Sequence, residues 1–232
     1  MPQLIIGTRA SKLALWQTNW VAQKLAALNP KIEIVIQTIT TKGDTQIDTP
    51  LPQIGDKGLF TREIETALLA GQIHIAVHSL KDLPTESPIP NLPSLIIAAI
   101  TEREDARDVL ISRHKVGLAR LPKYARIGTS SLRRAAQLRA YRSDLQIVNL
   151  RGNVDTRLRK SASDEYDAIV LAAAGVLRLG YAGQITEYLA LNVMLPAPGQ
   201  GALAVQARAG DAATLQLLQP LDHAPTRAFF GK

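Results

Sequence analysis

Apolar residues follow two different periods along this chain, and the two periods alternate. Short runs such as QLIIGTR and IHIAVHS have the continuous or every-second apolar spacing of β-strands. Between such runs, apolar residues recur three and four positions apart, as with Leu13, Trp16 and Trp20 behind Ser11, which indicates an amphipathic helix with a serine N-cap. Alternating strands and helices predict an α/β protein built on largely parallel sheets.

The alternation occurs in two series, separated by the charged run TEREDARD, which we expect to be a solvent-exposed crossover or hinge. The first series ends with SLIIAAI, the second begins with ARIGT, and GALAVQAR is predicted to return to the first sheet. We therefore predict two doubly wound α/β lobes, similar to bilobal periplasmic binding proteins, with the second lobe inserted in the first. The first lobe is predicted over 1–99 and 196–219, the second over 104–194, and a short remnant over 220–232. Ligands of such folds bind in the cleft between lobes.

Composition excludes several classes of site. The 232 residues contain no cysteine, which excludes disulfides, thiolate metal sites and a cysteine nucleophile within them. His74 and His78 lie on a predicted strand, where four positions separate side chains by roughly 13 Å, so no metal site is predicted. No apolar run reaches the roughly 18 to 20 residues of a membrane span, and the start has no secretory pattern, so we expect a cytoplasmic protein without membrane contact.

Positive charge is concentrated in one segment. Residues 113–160 hold thirteen lysines and arginines against Asp144 and Asp155, a local charge of +11 in a chain whose net charge is +7. A nucleic-acid surface could have this charge, but only Tyr124 and Tyr141 are aromatic within it, so base stacking has little support. We therefore predict no nucleic-acid partner.

Cationic side chains occur at the junctions where a predicted strand is followed by a predicted helix. GTSSLRR places Arg133 and Arg134 at a helix start, Arg151 follows LQIVNL, and Arg157 begins the next helix. Helix N-termini and guanidinium groups both favour carboxylate or phosphate. In the first lobe, Arg9 and Ser11 hold an equivalent position, as do Lys81 and Asp82. Asp82 is then the anion in a cationic cleft, suited to a ligand N–H or to a cation formed during reaction.

Nine ordered motifs resemble those of the porphobilinogen deaminase family: GTRASKLALWQ, TKGD, DKGLFTREIE, AVHSLKDLP, EREDARD, IGTSSLRRAAQL, LRGNVDTRL, YDAIVLAAAG and LPAPGQGA. The resemblance implies a transferase of tetrapyrrole and haem biosynthesis. Such enzymes join four porphobilinogen units into linear hydroxymethylbilane, release ammonia from each, and carry the growing chain on a dipyrromethane cofactor.

The resemblance also implies residue roles. Asp82 corresponds to the family's catalytic aspartate, which hydrogen-bonds pyrrole nitrogens and stabilises the cation left by ammonia. The positions that match the family's cofactor-binding residues are Lys81, Asp82, Thr129, Ser130, Ser131, Arg133, Arg134 and Arg157. Those that match its substrate-binding residues are Arg9, Ser11, Lys57, Arg151, Arg178 and Gln200, with Lys57 in the family's active-site lid.

The C-terminal end departs from the family pattern. Family members carry a third, α+β domain whose cysteine bonds the cofactor through a thioether, whereas this chain ends in PTRAFFGK and has no cysteine. A frameshift, a split gene or a shortened polypeptide would each give such an ending. We expect a chain that is inactive or nearly so by itself, and a monomer that could associate through apolar surface at Phe229 and Phe230.

A second hypothesis keeps the fold without the chemistry. Two α/β lobes joined by two crossings also describe bilobal solute-binding proteins, so the chain could be a non-catalytic module for a polycarboxylate. The pair Lys81 and Asp82 argues against this, because a passive anion binder does not need a carboxylate in its site. Porphobilinogen binding with and without ammonia release separates the two hypotheses.

Overall fold

The computed structural model describes residues 3–45, 61–83 and 94–230. The chain divides into two compact units. The first unit comprises Met1–Arg103 and Ala202–Lys232, and the second comprises Glu104–Gly201. The second unit is therefore a continuous segment inserted into a discontinuous first unit.

The first unit is a five-stranded sheet with helices packed on it. Its strands are β1 (Gln3–Thr8), β2 (Glu33–Thr38), β3 (Ile75–Ser79), β4 (Leu95–Ile100) and β10 (Leu203–Arg208). Its helices are α1 (Lys12–Leu28), α2 (Lys42–Thr45), α3 (Arg62–Leu69), α7 (Ala212–Leu218) and α8 (Ala224–Phe230). The strand order is β2-β1-β3-β10-β4, in which β1 runs parallel to β2 and β3, and β10 runs antiparallel to β3 and β4.

Helix α1 forms as its sequence predicts. Ser11 is the N-cap, and its hydroxyl accepts a hydrogen bond from the backbone N–H of Ala14 at 3.3 Å. Val21 and Leu25, four apart, are fully buried against the sheet. The helix ends before Asn29, because Pro30 cannot continue the hydrogen-bond ladder.

The second unit repeats this architecture. Its strands are β5 (Asp108–Ser112), β6 (Arg126–Gly128), β7 (Gln146–Val148), β8 (Ala168–Ala172) and β9 (Glu187–Tyr188), and its helices are α4 (Leu132–Tyr141), α5 (Val154–Lys160) and α6 (Ala173–Arg178). The order is β7-β6-β8-β5-β9. Strands β7, β6 and β8 are parallel, and β5 runs antiparallel to both β8 and β9.

Each sheet brings the beginning of one antiparallel strand to the edge where its parallel strands end. Leu203 at the start of β10 is opposite Ser79 at the end of β3, and Asp108 at the start of β5 is opposite Ala172 at the end of β8. The carboxyl edge of each sheet therefore receives residues from the chain crossings as well as from the strand-to-helix junctions.

The predicted α/β class is confirmed, while the charged run TEREDARD and two strands differ from the expectation. The run TEREDARD is not exposed throughout, because Thr101 is 1% exposed and Asp108 is 0% exposed. Asp108 begins β5, a buried strand whose charged first residue gives it the appearance of a surface segment in the sequence, and the strand β9, with two residues, is too short to show a period. Residues 224–230 form helix α8 of the first unit and contact β4. Of the helices in the described ranges, none has both the length and the apolar character of a membrane span.

Candidate functional site

The first unit holds a pocket at the carboxyl edge of its sheet. It is lined by Arg9, Ser11, Leu13, Ala14, Gln17, Thr61, Ile64, Val77, His78, Ser79 and Asp82. Three of the predicted site residues, Arg9, Ser11 and Asp82, are thus brought together. The lining combines a carboxylate and a guanidinium with hydroxyl, amide and imidazole groups and with four apolar side chains, those of Leu13, Ala14, Ile64 and Val77.

Sheet topology explains this meeting. Strands β1 and β3 are adjacent and parallel, so both end at the same edge. Arg9 follows β1, and Asp82 closes the short 3₁₀ turn Leu80–Asp82 that follows β3. Gln17 on α1 donates a hydrogen bond to the Ser79 hydroxyl at 3.0 Å, which fixes the helix against the end of β3. Residues 73 positions apart in sequence therefore share one pocket.

His78 is a buried member of the pocket wall. Burial lowers the pKa of its imidazole to about 4, an effect that the Arg9 charge increases and an interaction with the Gln206 side chain opposes. His78 is therefore neutral near pH 7. The separate His74 ring accepts a hydrogen bond at Nδ1 from the backbone N–H of Ile5 at 2.9 Å. Over the described ranges, no group of three His, Cys, Asp or Glu residues is arranged to hold a metal ion.

The GTSSLRR segment of the second unit joins β6 to α4. Ser131 is the N-cap of α4 and accepts a hydrogen bond from the backbone N–H of Arg134 at 3.4 Å. The hydroxyl of Thr129 accepts one from the N–H of Ser131 at 3.2 Å, and the hydroxyl of Ser130 donates to the carbonyl of Leu150. The last contact joins this junction to the one after β7. The two junctions are neighbours because β6 and β7 are adjacent, parallel strands that end at the same edge.

Arg133 and Arg134 both pair with a carboxylate of the chain itself. Nη2 of Arg134 lies 2.7 Å from Oδ1 of Asp108, and Nη2 of Arg133 lies 2.7 Å from Oδ2. The side chain of Arg134 is 7% exposed, whereas that of Arg133 is 26% exposed. The two neighbours therefore differ, because one guanidinium is enclosed and the other reaches the surface.

Asp108 belongs to this site, although the sequence motifs did not predict it as a site residue. Its carboxylate is buried, which raises its pKa, but the charges and hydrogen bonds of Arg134 and Arg133 more than offset burial and hold the pKa below its usual value. Gln200, also predicted as a site residue, donates from Nε2 to Oδ1 of Asp108 at 3.0 Å and to the carbonyl of Ala106 at 2.7 Å. The sequence did contain a signal, since DVLIS directly after the charges has the apolar run of a strand.

The other predicted residues of the second unit lie around the same edge. Arg151 is half-buried in the junction after β7, and Arg157 on α5 donates from Nε to the carbonyl of Gly152 at 2.7 Å. Arg178, at the end of α6, donates from Nη2 to the carbonyl of Gly201 at 2.7 Å, and burial lowers the pKa of its guanidinium. Cations thus come from the connections after β6 and β7, where Arg151 and Arg157 share one connection, and from the C-terminal end of α6.

Two predicted residues stand apart from these groups. Lys81 is half-buried in the turn beside Asp82 but is not part of the pocket lining. Lys57 lies outside the described residues, so its predicted place in a lid stays a prediction.

Comparison with known proteins identifies the family. The sequence model of the protein family described as "Porphobilinogen deaminase, dipyromethane cofactor binding domain" matches residues 4–216. The chain belongs to the porphobilinogen deaminase family. A porphobilinogen deaminase of Syntrophotalea carbinolica is 55% identical over 223 residues, which is 96% of this chain and 70% of that protein. One of Roseiflexus sp. is 55% identical over 224 residues, 97% of this chain and 73% of that protein.

Solved structures with little sequence similarity share the fold. The substrate-binding domain assigned to a molybdenum ABC transporter of Clostridium difficile has a TM-score of 0.59 at 10% identity, over 98% of this chain and 95% of that chain. CbnR, a LysR family transcriptional regulator, has a TM-score of 0.55 at 12% identity, over 99% of this chain and 70% of that chain. This agrees with the predicted similarity to bilobal binding folds.

The family's dipyrromethane cofactor carries acetate and propionate groups, and the second unit has donors that suit them. The half-buried cations Arg133, Arg151 and Arg157 and the hydroxyls of the GTSS segment are hydrogen-bond donors at one sheet edge, which fits carboxylate recognition. A thioether requires a thiol, and these 232 residues contain none. The residues present therefore fit the carboxylates of the cofactor but supply no covalent attachment.

Proposed function

We propose that this chain binds porphobilinogen in the first unit for condensation into hydroxymethylbilane with release of ammonia. The observation that carries the proposal is the pocket that holds Asp82 together with Arg9 and Ser11. A carboxylate beside a guanidinium and a hydroxyl matches a substrate that has a pyrrole N–H, a cationic aminomethyl group and two carboxylates.

Asp82 is the catalytic residue of this proposal. Its carboxylate accepts a hydrogen bond from the pyrrole N–H of porphobilinogen. When the C–N bond of the aminomethyl group breaks, ammonia takes the electron pair and the remaining methylene-pyrrole carries the positive charge. A fixed carboxylate near that charge stabilises the cation more than it stabilises the neutral ring, which lowers the barrier.

Arg9 and Ser11 orient the substrate. The guanidinium forms charge-assisted hydrogen bonds with a side-chain carboxylate, and the N-terminal end of α1 adds a favourable partial charge. The neutral His78 in the wall adds no further positive charge near the cation that forms. We propose Lys57, Arg151, Arg178 and Gln200 as further substrate contacts, as the family resemblance implies.

The second unit is proposed to hold the cofactor's carboxylates through Thr129, Ser130, Ser131, Arg133, Arg134 and Arg157. We propose Lys81 and Asp82 as further cofactor contacts, as the family resemblance implies. The cofactor supplies a pyrrole chain to which each new unit is joined. Residues of this chain hold the cofactor's carboxylates. Many such residues are needed, because the ligand gains two carboxylates with each added pyrrole.

Without a thiol, the polypeptide is proposed to bind the cofactor non-covalently and to turn over porphobilinogen slowly or not at all by itself. The test uses purified protein incubated with porphobilinogen. Calorimetry measures binding, an ammonia assay measures deamination, and intact mass detects covalent addition. The expected result is binding, an unchanged mass near 25.1 kDa, and ammonia release near background.

Other outcomes of that experiment are decisive in the opposite direction. Sustained hydroxymethylbilane production, or a mass increase equal to a dipyrromethane, would contradict the proposed non-covalent binding. No binding of porphobilinogen would contradict the assignment of the pocket. A polycarboxylate bound more tightly than porphobilinogen would favour a non-catalytic binding module.

The setting of the reaction is also proposed. We place the protein in the cytoplasm, as a monomer without nucleic-acid or membrane partners. Size-exclusion chromatography with light scattering tests the monomeric state, and a mass of twice 25.1 kDa would contradict it.

A further inference from the structure

The carboxylate of Asp108 is enclosed by donors on both of its oxygens. Oδ1 accepts from Nη2 of Arg134 at 2.7 Å, from Nε of the same side chain at 3.2 Å, and from Nε2 of Gln200 at 3.0 Å. Oδ2 accepts from Nη2 of Arg133 at 2.7 Å. Asp108 is 0% exposed, so these bonds hold the carboxylate without competition from bulk water.

The partners of Asp108 are themselves fixed. Nη1 of Arg134 donates to the carbonyl of Val170 in β8 at 3.0 Å, which locks that guanidinium to the sheet. Arg133 donates from Nη1 to the carbonyl of Leu195, so its guanidinium is held from two sides. Asp108 itself begins β5 and is backbone-paired opposite Ala172. The sheet therefore fixes the position of the Arg133 guanidinium, whose side chain is 26% exposed.

A carboxylate in this place has two opposing effects on an anionic ligand. Its negative charge repels the ligand and reduces the positive potential of the adjacent arginines. Its hydrogen bonds also restrict a long side chain to one orientation before binding, which removes an entropic cost of ligand association. The sign of the effect of removing the charge shows which of the two dominates.

We propose that Asp108 is a positioning residue, which orients Arg133 for the carboxylates of the dipyrromethane cofactor. This inference rests on the proposed role of the second unit in binding those carboxylates. Arg134 and Gln200 hold Oδ1 and leave Oδ2 to Arg133. The carboxylate acts through the guanidinium and does not touch the ligand.

The test measures the affinity of the full chain for a synthetic dipyrromethane that carries acetate and propionate groups. Asp108→Asn keeps the shape of the side chain and removes its charge. Positioning predicts an affinity at least tenfold weaker, because the amide offers one acceptor oxygen where the carboxylate has two, and its NH2 group is a donor that cannot pair with a guanidinium. If Asp108 acted only through its negative charge, the Asp108→Asn protein would bind the anionic probe more tightly than the wild type does. Unchanged or tighter binding in a folded Asp108→Asn protein would overturn the proposal.

Three further variants separate the possible causes. Asp164→Asn removes a negative charge from the same unit at a side chain that is 97% exposed, and it should leave the affinity unchanged. Arg133→Gln should weaken binding, and adding Asp108→Asn to it should cost clearly less affinity than Asp108→Asn costs in the wild type, because the part of the effect that acts through Arg133 is already lost. Additive losses in the double variant would overturn the positioning role.

The design distinguishes two kinds of failure. If Arg133→Gln binds the probe as wild type does, the proposed cofactor site fails, and the role of Asp108 fails with it. If Arg133→Gln weakens binding but Asp108→Asn does not, only the role of Asp108 is overturned. Circular dichroism checks folding. Should Asp108→Asn unfold, Asp108→Glu is used, which keeps the charge and displaces the carboxylate by one methylene; wild-type affinity in that variant would overturn the proposal.

Discussion

The side-chain amide of Gln17 donates a hydrogen bond to the hydroxyl of Ser79 at 3.0 Å and so joins helix α1 to the end of strand β3. Gln17 is only 4% exposed, and both residues line the pocket of the first unit. The position of Arg9 and Ser11 relative to Asp82 therefore depends on this contact, because α1 begins directly after Ser11.

Replacing Gln17 by Leu should lower the free energy of unfolding by about 1 kcal/mol, since the half-buried hydroxyl of Ser79 loses its hydrogen-bond donor. Urea denaturation measures the change. Asn19→Ala on the exposed side of α1 is the control, with an expected change within about 0.5 kcal/mol. Equal effects of the two substitutions would contradict the structural role of the contact.

The buried imidazole of His78 makes stability depend on pH. Its pKa is about 4 in the folded chain and near 6.5 in the unfolded chain, so the unfolded state binds more protons between these values. Stability from this group is complete above pH 6.5 and is lost as pH falls toward 4, by about 3 kcal/mol in total.

The variant His78→Gln should therefore show a shallower loss of stability from pH 7 to pH 4 than the wild type. Urea titrations at several pH values measure both slopes. Asn19→Ala on the exposed side of α1 serves as the control, since it changes no titratable group and should leave the wild-type slope unchanged. Parallel pH profiles for His78→Gln and wild type would show that His78 does not titrate in this way.

Sequence was sufficient for much of the architecture because local signals were strong. Ser11 and Ser131 both precede apolar helical periods, and both are N-caps. The site was harder to predict, since Asp108 gains its partners only through the antiparallel pairing of β5 with β8, which joins residues 64 positions apart. A buried, ion-paired aspartate is also hard to recognise within the charged run TEREDARD, because solvent-exposed segments and ion-paired segments have the same residue composition.

Ser131 combines a cap with a proposed ligand contact, and two substitutions separate these roles. Ser131→Ala should cost about 1 kcal/mol of folding free energy through loss of the N-cap hydrogen bond. Ser131→Asp should restore that stability, because aspartate caps well at the positive end of a helix.

The same Ser131→Asp protein should bind the dipyrromethane probe more weakly than the wild type, because its new carboxylate repels the ligand's carboxylates. Thermal denaturation and calorimetry on one preparation measure both properties. Tighter binding by Ser131→Asp would mean that the ligand's anionic groups lie elsewhere.

Asp82 is exposed at the end of its turn, so its role can be tested without loss of folding. Asp82→Asn should change the free energy of unfolding by less than about 0.5 kcal/mol. Its affinity for porphobilinogen should fall roughly 10- to 100-fold, the value of one charge-assisted hydrogen bond. Calorimetry at constant ionic strength measures the loss. An affinity equal to that of wild type would exclude contact between Asp82 and the substrate.

Helix α8 is attached to β4 by Arg227. Its Nε lies 2.6 Å from Oδ2 of Asp222, and its Nη2 donates to the carbonyls of Ile97 and Ala98 at 3.2 and 3.1 Å. Arg227→Met should destabilise the chain by about 1 to 3 kcal/mol, because strand carbonyls lose their donors. Arg139→Met, at an exposed position of α4, provides the comparison in urea denaturation and should have little effect.

The interrupted sequence of the first unit fixes the order in which the two units can be completed during synthesis. Strand β10 lies between β3 and β4, yet it is encoded after the whole of the second unit. The second unit has every one of its strands once residue 201 has left the ribosome. The first unit, although begun earlier, must wait for residues 203–208 before its sheet can close. The nascent chain therefore holds its N-terminal half in an unfinished state while the later half becomes native.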